Sequence, residues 1–316
     1  MSRSLAVCRA AELAASSPER RWLIDELWAD QAVGIVGGEP KCCKSFLALE
    51  LAVAVASGAP CLRRFRPAQT GRVLLFAAED ALPVVRRRLE GIARAAGVAF
   101  DPLDIHVITT PVVRLDLEDD RQRLQATVAA LRPTLLILDP FVRLHRIDEN
   151  AVAEVAPLLA YLRQLQRDFA TAVLLVHHAR KGAAHLRAGQ ALRGSSELHA
   201  WGDSNLYLRR RGDALLLTVE HRAAPSLDGL ALELRAHGDA LALHVVDSAL
   251  DQSPAAAPSA TEQIEHALAT AALPLSLRQL RRLCRMRMAT LCVALTTLRT
   301  NGRVLKSSAG YRLALR

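Results

Sequence analysis

The sequence predicts an α/β protein with a mostly parallel sheet covered on both faces, followed by a small second unit of three helices and a hairpin. Three observations carry this. Near-continuous apolar runs alternate with helical periodicity through the first two-thirds of the 316 residues, as strands buried on both faces require. From residue 205 to 246 the period shifts to apolar/polar alternation, with turns at Gly212-Asp213 and Gly238-Asp239, which reads as antiparallel strands extending the sheet. Residues 248–259 are Ser/Ala/Pro-rich and read as a linker.

In chain order, residues 1–31 are Ala/Glu/Arg-rich and read as an N-terminal helical segment, with Trp22, Leu23, Ile24, Leu27 and Trp28 packing on the core. A first buried strand covers 32–36, and a Gly-rich turn leads into a helix to about Ser57. A second strand (72–80) ends in Glu79-Asp80, and a basic amphipathic helix (81–96) carries Arg86, Arg87, Arg88 and Arg94. Asp80 reads as the N-cap of that helix. A short strand (104–109), a helix (119–131), an apolar strand ending at Asp139, a helix (151–169) and a strand ending at His177-His178 follow. The core is thus bounded at 32–247. Past the linker, residues 260–316 read as helices at 261–271, 276–284 and 288–300 and a hairpin at 302–314, the outline of a winged helix-turn-helix. Leu291, Val293, Ala294, Leu295 and Leu298 read as its core.

Apolar residues make up 51% of the chain, ample for a sizeable core, and the formal charge is +9. Residues 259–316 hold nine arginines and one lysine against Glu262 and Glu265, a net of +8, so the basic character is concentrated in that tail. A compact basic unit suits nucleic acid or another polyanion. The six cysteines form no C-x-x-C pair and no zinc-like spacing, so reduced thiols in a cytoplasmic protein are expected. The longest apolar run, 46–62, is broken by Glu50 and reads as the helix after the turn, not a membrane span.

That turn, Gly38-Glu39-Pro40-Lys41-Cys42-Cys43-Lys44-Ser45-Phe46, follows a strand and opens a helix, the order of a phosphate-cradling P-loop. Helix N-terminal amides and the helix dipole favour phosphate oxygens there. Lys44 can reach the β/γ-phosphates of a nucleotide, and the Ser45 hydroxyl can ligate Mg²⁺. Cys43 stands where glycine is usual, at a cost on the order of 1–2 kcal/mol if the backbone turns as tightly as the loop demands. Cys42-Cys43 also invites a redox reading, since a helix N-terminus lowers a thiol's pKa.

Parallel sheets place ligand sites at the carboxyl ends of their strands. Four ends carry chemistry here: the loop at 37–45, Glu79-Asp80, Asp139 and His177-His178. Asp139 suits an acid holding Mg²⁺ with Ser45, the Walker B role. Glu79 suits orientation or deprotonation of an attacking water, or a salt bridge to the next helix's arginines. Of the two histidines, one is expected to point inward and the other toward the nucleotide. Arg180, Lys181, Arg187 and Arg193 give the 179–196 loop a pattern suited to single-stranded nucleic acid in a central channel.

Together these motifs, with Arg193-Gly194-Ser195-Ser196-Glu197, resemble the RepA-like branch of hexameric RecA-fold ATPases over roughly residues 20–247. The resemblance implies a RecA-like P-loop ATPase core with a mixed, mostly parallel sheet, ATP and Mg²⁺ as cofactors, and a ring-forming homo-oligomer, a hexamer in that family. It implies nucleotide binding by 38–46, Mg²⁺ held by Ser45 and Asp139, Glu79 as catalytic carboxylate and His178 as γ-phosphate sensor. It also implies an arginine finger lent by a neighbouring subunit, either Arg222 or Arg193. Asp203 stands where some relatives have arginine, which leaves the finger open.

For the C-terminal unit, Arg281, Arg282, Arg285 and Arg287 are candidate phosphate contacts on duplex DNA, and protein docking is the other use of such a module. Two functional readings follow: a DNA motor of the replicative-helicase kind from a plasmid or mobile element, or a nucleotide-gated DNA-binding regulator with little turnover. A small-molecule kinase is disfavoured by the basic tail and the lack of an evident acceptor lid.

Overall fold

The computed structural model describes residues 7–12, 21–178, 196–211, 214–238, 240–246, 260–271, 273–284, 286, 288–307 and 309–314. The chain divides into two compact units, Met1–Val246 and Asp247–Arg316. The linker read at 248–259 lies outside the described residues.

A 3-10 turn at Ala10–Glu12 precedes a two-stranded hairpin, β1 (Trp22–Ile24) and β2 (Trp28–Ala29). The helical reading is therefore corrected for Trp22–Ala29, while residues 1–6 and 13–20 lie outside the described residues. Glu26 takes a left-handed φ of 58°, and the tight turn lets Leu23, Ile24, Leu27 and Trp28 all bury completely. A hairpin reaches that end because apolar residues flank a single turn, a spacing that a helix would distribute around its circumference.

The main sheet comprises β3 (Val33–Gly38), β4 (Val73–Ala77), β5 (Ile105–Val107), β6 (Leu135–Asp139), β7 (Ala172–His178), β8 (Ser204–Arg211), β9 (Ala214–His221), β10 (Leu227–His237) and β11 (Ala240–Val245). Its order is β11-β10-β9-β8-β3-β7-β6-β4-β5. β5, β4, β6, β7, β3 and β8 run parallel, and β8 to β11 pair antiparallel. β8 belongs to both regimes, although alternation alone placed it with the antiparallel strands. Helices α1 (Lys44–Ser57), α2 (Leu82–Ala95), α3 (Glu118–Leu131), α4 (Val152–Phe169) and α5 (Ser196–Trp201) complete the unit. One apolar cluster unites α1 and α2 with one sheet face, through Leu47, Leu51, Leu89 and Leu206. The other unites α3, α4 and α5 with the opposite face, through Leu124, Leu162, Leu198 and Tyr207.

Glu50, the acid inside the apolar α1, is 2% exposed. It pairs with Arg63 and accepts the Leu243 amide at 3.0 Å, which ties α1 to β11. Burial outweighs the Arg63 guanidinium and pushes the Glu50 carboxyl up to about 7. Among the described residues, no helix is long and apolar enough to cross a membrane.

The second unit has α6 (Ala260–Ala269), α7 (Leu277–Cys284), α8 (Met288–Thr300) and a hairpin of β12 (Val304–Ser307) and β13 (Gly310–Leu313). Its core is Ile264, Leu268, Leu280, Leu291, Ala294, Leu295, Leu298 and Val304. Val293, expected inside, is 68% exposed because it falls off the 3–4-spaced stripe that the other α8 residues form.

Candidate functional site

β3 ends at Gly38 and α1 begins at Lys44, so five residues turn the chain over the sheet's carboxyl edge. A side chain at Gly38 is sterically excluded, since a Cβ would lie 2.3 Å from the Leu208 carbonyl oxygen and 2.7 Å from Cys42 Sγ. The Cys42 thiol is buried and donates to the Glu39 carbonyl at 2.7 Å and the Leu208 carbonyl at 3.4 Å, fixing the loop on β8. Lys41 and Cys43 both take left-handed φ, 64° and 61°. The N-terminus of α1 has no side-chain cap, so its first amides face the concavity of the loop as anion donors. Lys44, 5% exposed, donates its Nζ across that concavity to the Glu39 carbonyl at 2.7 Å.

Cys43 as N-cap at φ 61°, ψ 26° carries the strain of a Cβ in the left-handed region, about 1–2 kcal/mol. Glycine removes it and adds back part through unfolded-chain entropy. Cys43→Gly is therefore expected to stabilise the chain by about 0.5–1 kcal/mol in thermal melts, with ATP turnover equal or faster. A lower midpoint would show that the thiol packs usefully. The redox reading loses its premise, a thiol pKa lowered by the helix N-terminus. Burial pushes the Cys43 thiol up against the pull of Arg210, Lys44 and Arg88, and burial likewise pushes up Cys42.

The register aligns the remaining strand ends. Gly37 pairs with His177 and Gly38 with His178, while Ala77 pairs with Asp139. Strand alternation puts His178 on the α1 face, with Leu174 and Val176. His177 faces the other side, 1% exposed, 6.0 Å ring to ring from Phe141 and 4.0 Å from the Glu149 carboxylate. Glu149 also lies 3.6 Å from His145, whose imidazole stays neutral-leaning because burial lowers its pKa.

Asp139, 8% exposed, hydrogen-bonds Ser45. Its carboxyl is pushed up to about 6 by burial, with Asp80 and Glu79 adding to the effect and Ser45 and Lys44 opposing it. The folded chain therefore holds more protons than the unfolded one between pH 3.8 and about 6, and this group's stability contribution is lost as pH rises through that window. Asp139→Asn removes a buried charge and is expected to stabilise the ligand-free chain at pH 7.5 by about 1–3 kcal/mol. Mg²⁺-dependent nucleotide binding should be lost in the same variant, and in the wild type should fade as pH drops below about 6. A destabilised Asp139→Asn would contradict the assignment.

Glu79 forms an ion pair with Arg143 at 2.9 Å, not with the next helix. Arg143 comes from a 3-10 turn at Phe141–Arg143, just past Asp139. Both line a cleft of 560 Å³ with Phe76, Ala78, Pro111 and Val112. Asp80 is not the α2 cap, which is Ala81. Its carboxylate pairs instead with Arg88, whose guanidinium stacks on Phe46 at 4.9 Å. The Arg88 guanidinium, about two helical turns along α2, takes the carboxylate that would otherwise accept from the first amides of the helix.

Arg222 sits beyond β9, level with the start of β3 and opposite the loop end. It donates to the Ala200 carbonyl at 2.6 Å and pairs with Asp203 at 3.3 Å, and Asp203 also holds Arg163. Arg180, Lys181, Arg187 and Arg193 lie outside the described residues, as do Arg285 and Arg287. Arg281 and Arg282 are exposed on α7 and line, with Arg278 and Met286, a 510 Å³ concavity. Arg143 and Arg210 escaped the sequence reading, and Arg88 entered it only as one of the arginines of a basic helix. Proximity to Asp139 was the available signal for Arg143, whereas Arg210 needed the strand register.

Among solved structures, the one described as the crystal structure of the RadB recombinase is similar to this chain at 17% identity, over 69% of this chain and 92% of that one, with a TM-score of 0.49. The sequence profile described as "AAA domain" matches residues 3–184, more than half of the chain, and spans the loop, Glu79, Asp139 and His178. The chain belongs to this AAA domain family of P-loop ATPases.

Proposed function

We propose that the protein is a Mg²⁺-dependent ATP hydrolase of the RecA-like kind that acts on DNA as a ring-forming motor or switch. One observation carries the reading: Lys44 and Ser45 open α1 within an amide-lined loop, with Ser45 hydrogen-bonded to a buried Asp139. That pair has the donor chemistry of a Mg²⁺ site, two hard oxygens at the lip of a phosphate loop. Bound there by Ser45 and Asp139, Mg²⁺ supplies charge neutralisation on the β/γ-phosphates. Lys44 exchanges the Glu39 carbonyl for a phosphate oxygen. Glu79, two residues past the strand paired with that of Asp139, orients the attacking water. His178, at the end of β7 beside Gly38, reads the γ-phosphate.

DNA is supported by charge. The last 58 residues carry +8, and the exposed Arg278, Arg281 and Arg282 of α7 lie on one helical face. Three helices followed by a hairpin suit a winged helix-turn-helix on duplex DNA. The segment read from the sequence as a loop at 179–196, with Arg180, Lys181, Arg187 and Arg193, would carry single-stranded DNA in the ring of a hexamer, where a neighbour's Arg222 or Arg193 completes the site. The left-handed Cys43 favours a second reading, a nucleotide-gated DNA-binding regulator with slow turnover.

Phosphate release from ATP, measured on folded protein with and without single-stranded DNA, tests the proposal. The motor requires hydrolysis that DNA stimulates. Absence of turnover under both conditions rejects an ATPase, and turnover without ATP-dependent strand displacement leaves the regulator.

A further inference from the structure

The nucleotide loop has an unassigned cation beside it. Gly38, the last residue of β3, pairs with Leu208, and β8 continues to Arg211, so Arg210 stands about 7 Å past the pairing, level with the loop. Leu206 and Leu208 face the α1 side of the sheet, and alternation puts Arg210 on that face and Arg209 on the other. The loop lies directly against this stretch, since the Cys42 thiol reaches the Leu208 carbonyl. Arg210 is exposed, and its guanidinium makes no ion pair or hydrogen bond among the described residues. Its charge acts on the Cys43 thiol more strongly than that of Lys44 or Arg88. Arg88, the third cation here, is already committed to Asp80 and to the face of Phe46.

With Arg88 neutralised by Asp80, Arg210 and Lys44 remain as the cations beside a loop of helix-terminal amides, an arrangement that favours an anion. We infer that Arg210 is a further nucleotide-binding residue, a guanidinium of the same chain that contacts the polyphosphate from the β8 side and supplements the strained loop at Cys43. The inference rests on the nucleotide reading of the loop and adds a contact outside its motif. A guanidinium suits the role because its fork meets two phosphate oxygens at once, which an ammonium cannot reproduce.

Binding of Mg·ATP and of inorganic tripolyphosphate by calorimetry, on the full chain and on Arg210→Ala, Arg210→Lys and Arg209→Ala, tests it. Arg210→Ala should weaken both ligands about tenfold, the worth of one charge-assisted contact, and Arg210→Lys should recover part of the loss. Arg209→Ala, on the opposite face, should bind as the wild type does. Loss of ATP affinity with tripolyphosphate unchanged overturns the phosphate contact. Wild-type affinity in Arg210→Ala, or an equal loss in Arg209→Ala, overturns the inference alone. A wild-type chain that binds neither ligand overturns the nucleotide reading and this residue's role with it.

Discussion

Lys44→Ala is expected to abolish ATP turnover, by at least about 100-fold in kcat, because it deletes a buried cation at the phosphate loop. The same change should cost little stability. Burial lowers the Lys44 pKa, so the folded chain already bears a penalty for keeping that ammonium charged. Its single hydrogen bond, to the Glu39 carbonyl, returns about 1 kcal/mol at most. Phosphate release and a thermal melt on one preparation separate the two effects. An inactive variant that melts with the wild type marks Lys44 as functional. Unfolding in parallel with the loss of turnover would instead make it a structural lysine.

Gly34→Ala should have the largest effect on stability. A Cβ there would sit 1.7 Å from the Ser204 carbonyl oxygen and 3.0 Å from the Trp28 ring. Backbone cannot rotate aside as a side chain can, so β3 and β8 must part where Gly34 and Ser204 pair. The expected cost is about 3–5 kcal/mol, or failure to accumulate folded protein. Circular dichroism melts measure it, and an unchanged midpoint would show that β3 and β8 are not so closely registered. Because β3 delivers the loop, a variant that folds should also bind nucleotide weakly.

The parallel strands were legible because burial on both faces leaves an unbroken apolar signature, as in Leu135 to Leu138. The loop was legible because spacing within a few residues dictates its geometry. What stayed hidden depends on contacts across the chain. The hairpin at Trp22 and Trp28 is too short to impose a period of its own. Asp80 was read as a cap on local grounds, yet Arg88 claims it. Arg143 reaches Glu79 across 64 residues, and Arg210 stands level with the loop only because β8 lies beside β3. Cys43 shows the reverse: its departure from glycine was visible in the sequence, and its left-handed φ is the consequence.

A crystal grown with Mg²⁺ and a non-hydrolysable ATP analogue addresses the central claim most directly. The account predicts a triphosphate over the amides between Gly38 and Phe46, Lys44 Nζ moved from the Glu39 carbonyl onto phosphate, and a metal between Ser45 and Asp139. A loop left vacant at saturating analogue, or filled by the Cys43 side chain, would contradict it.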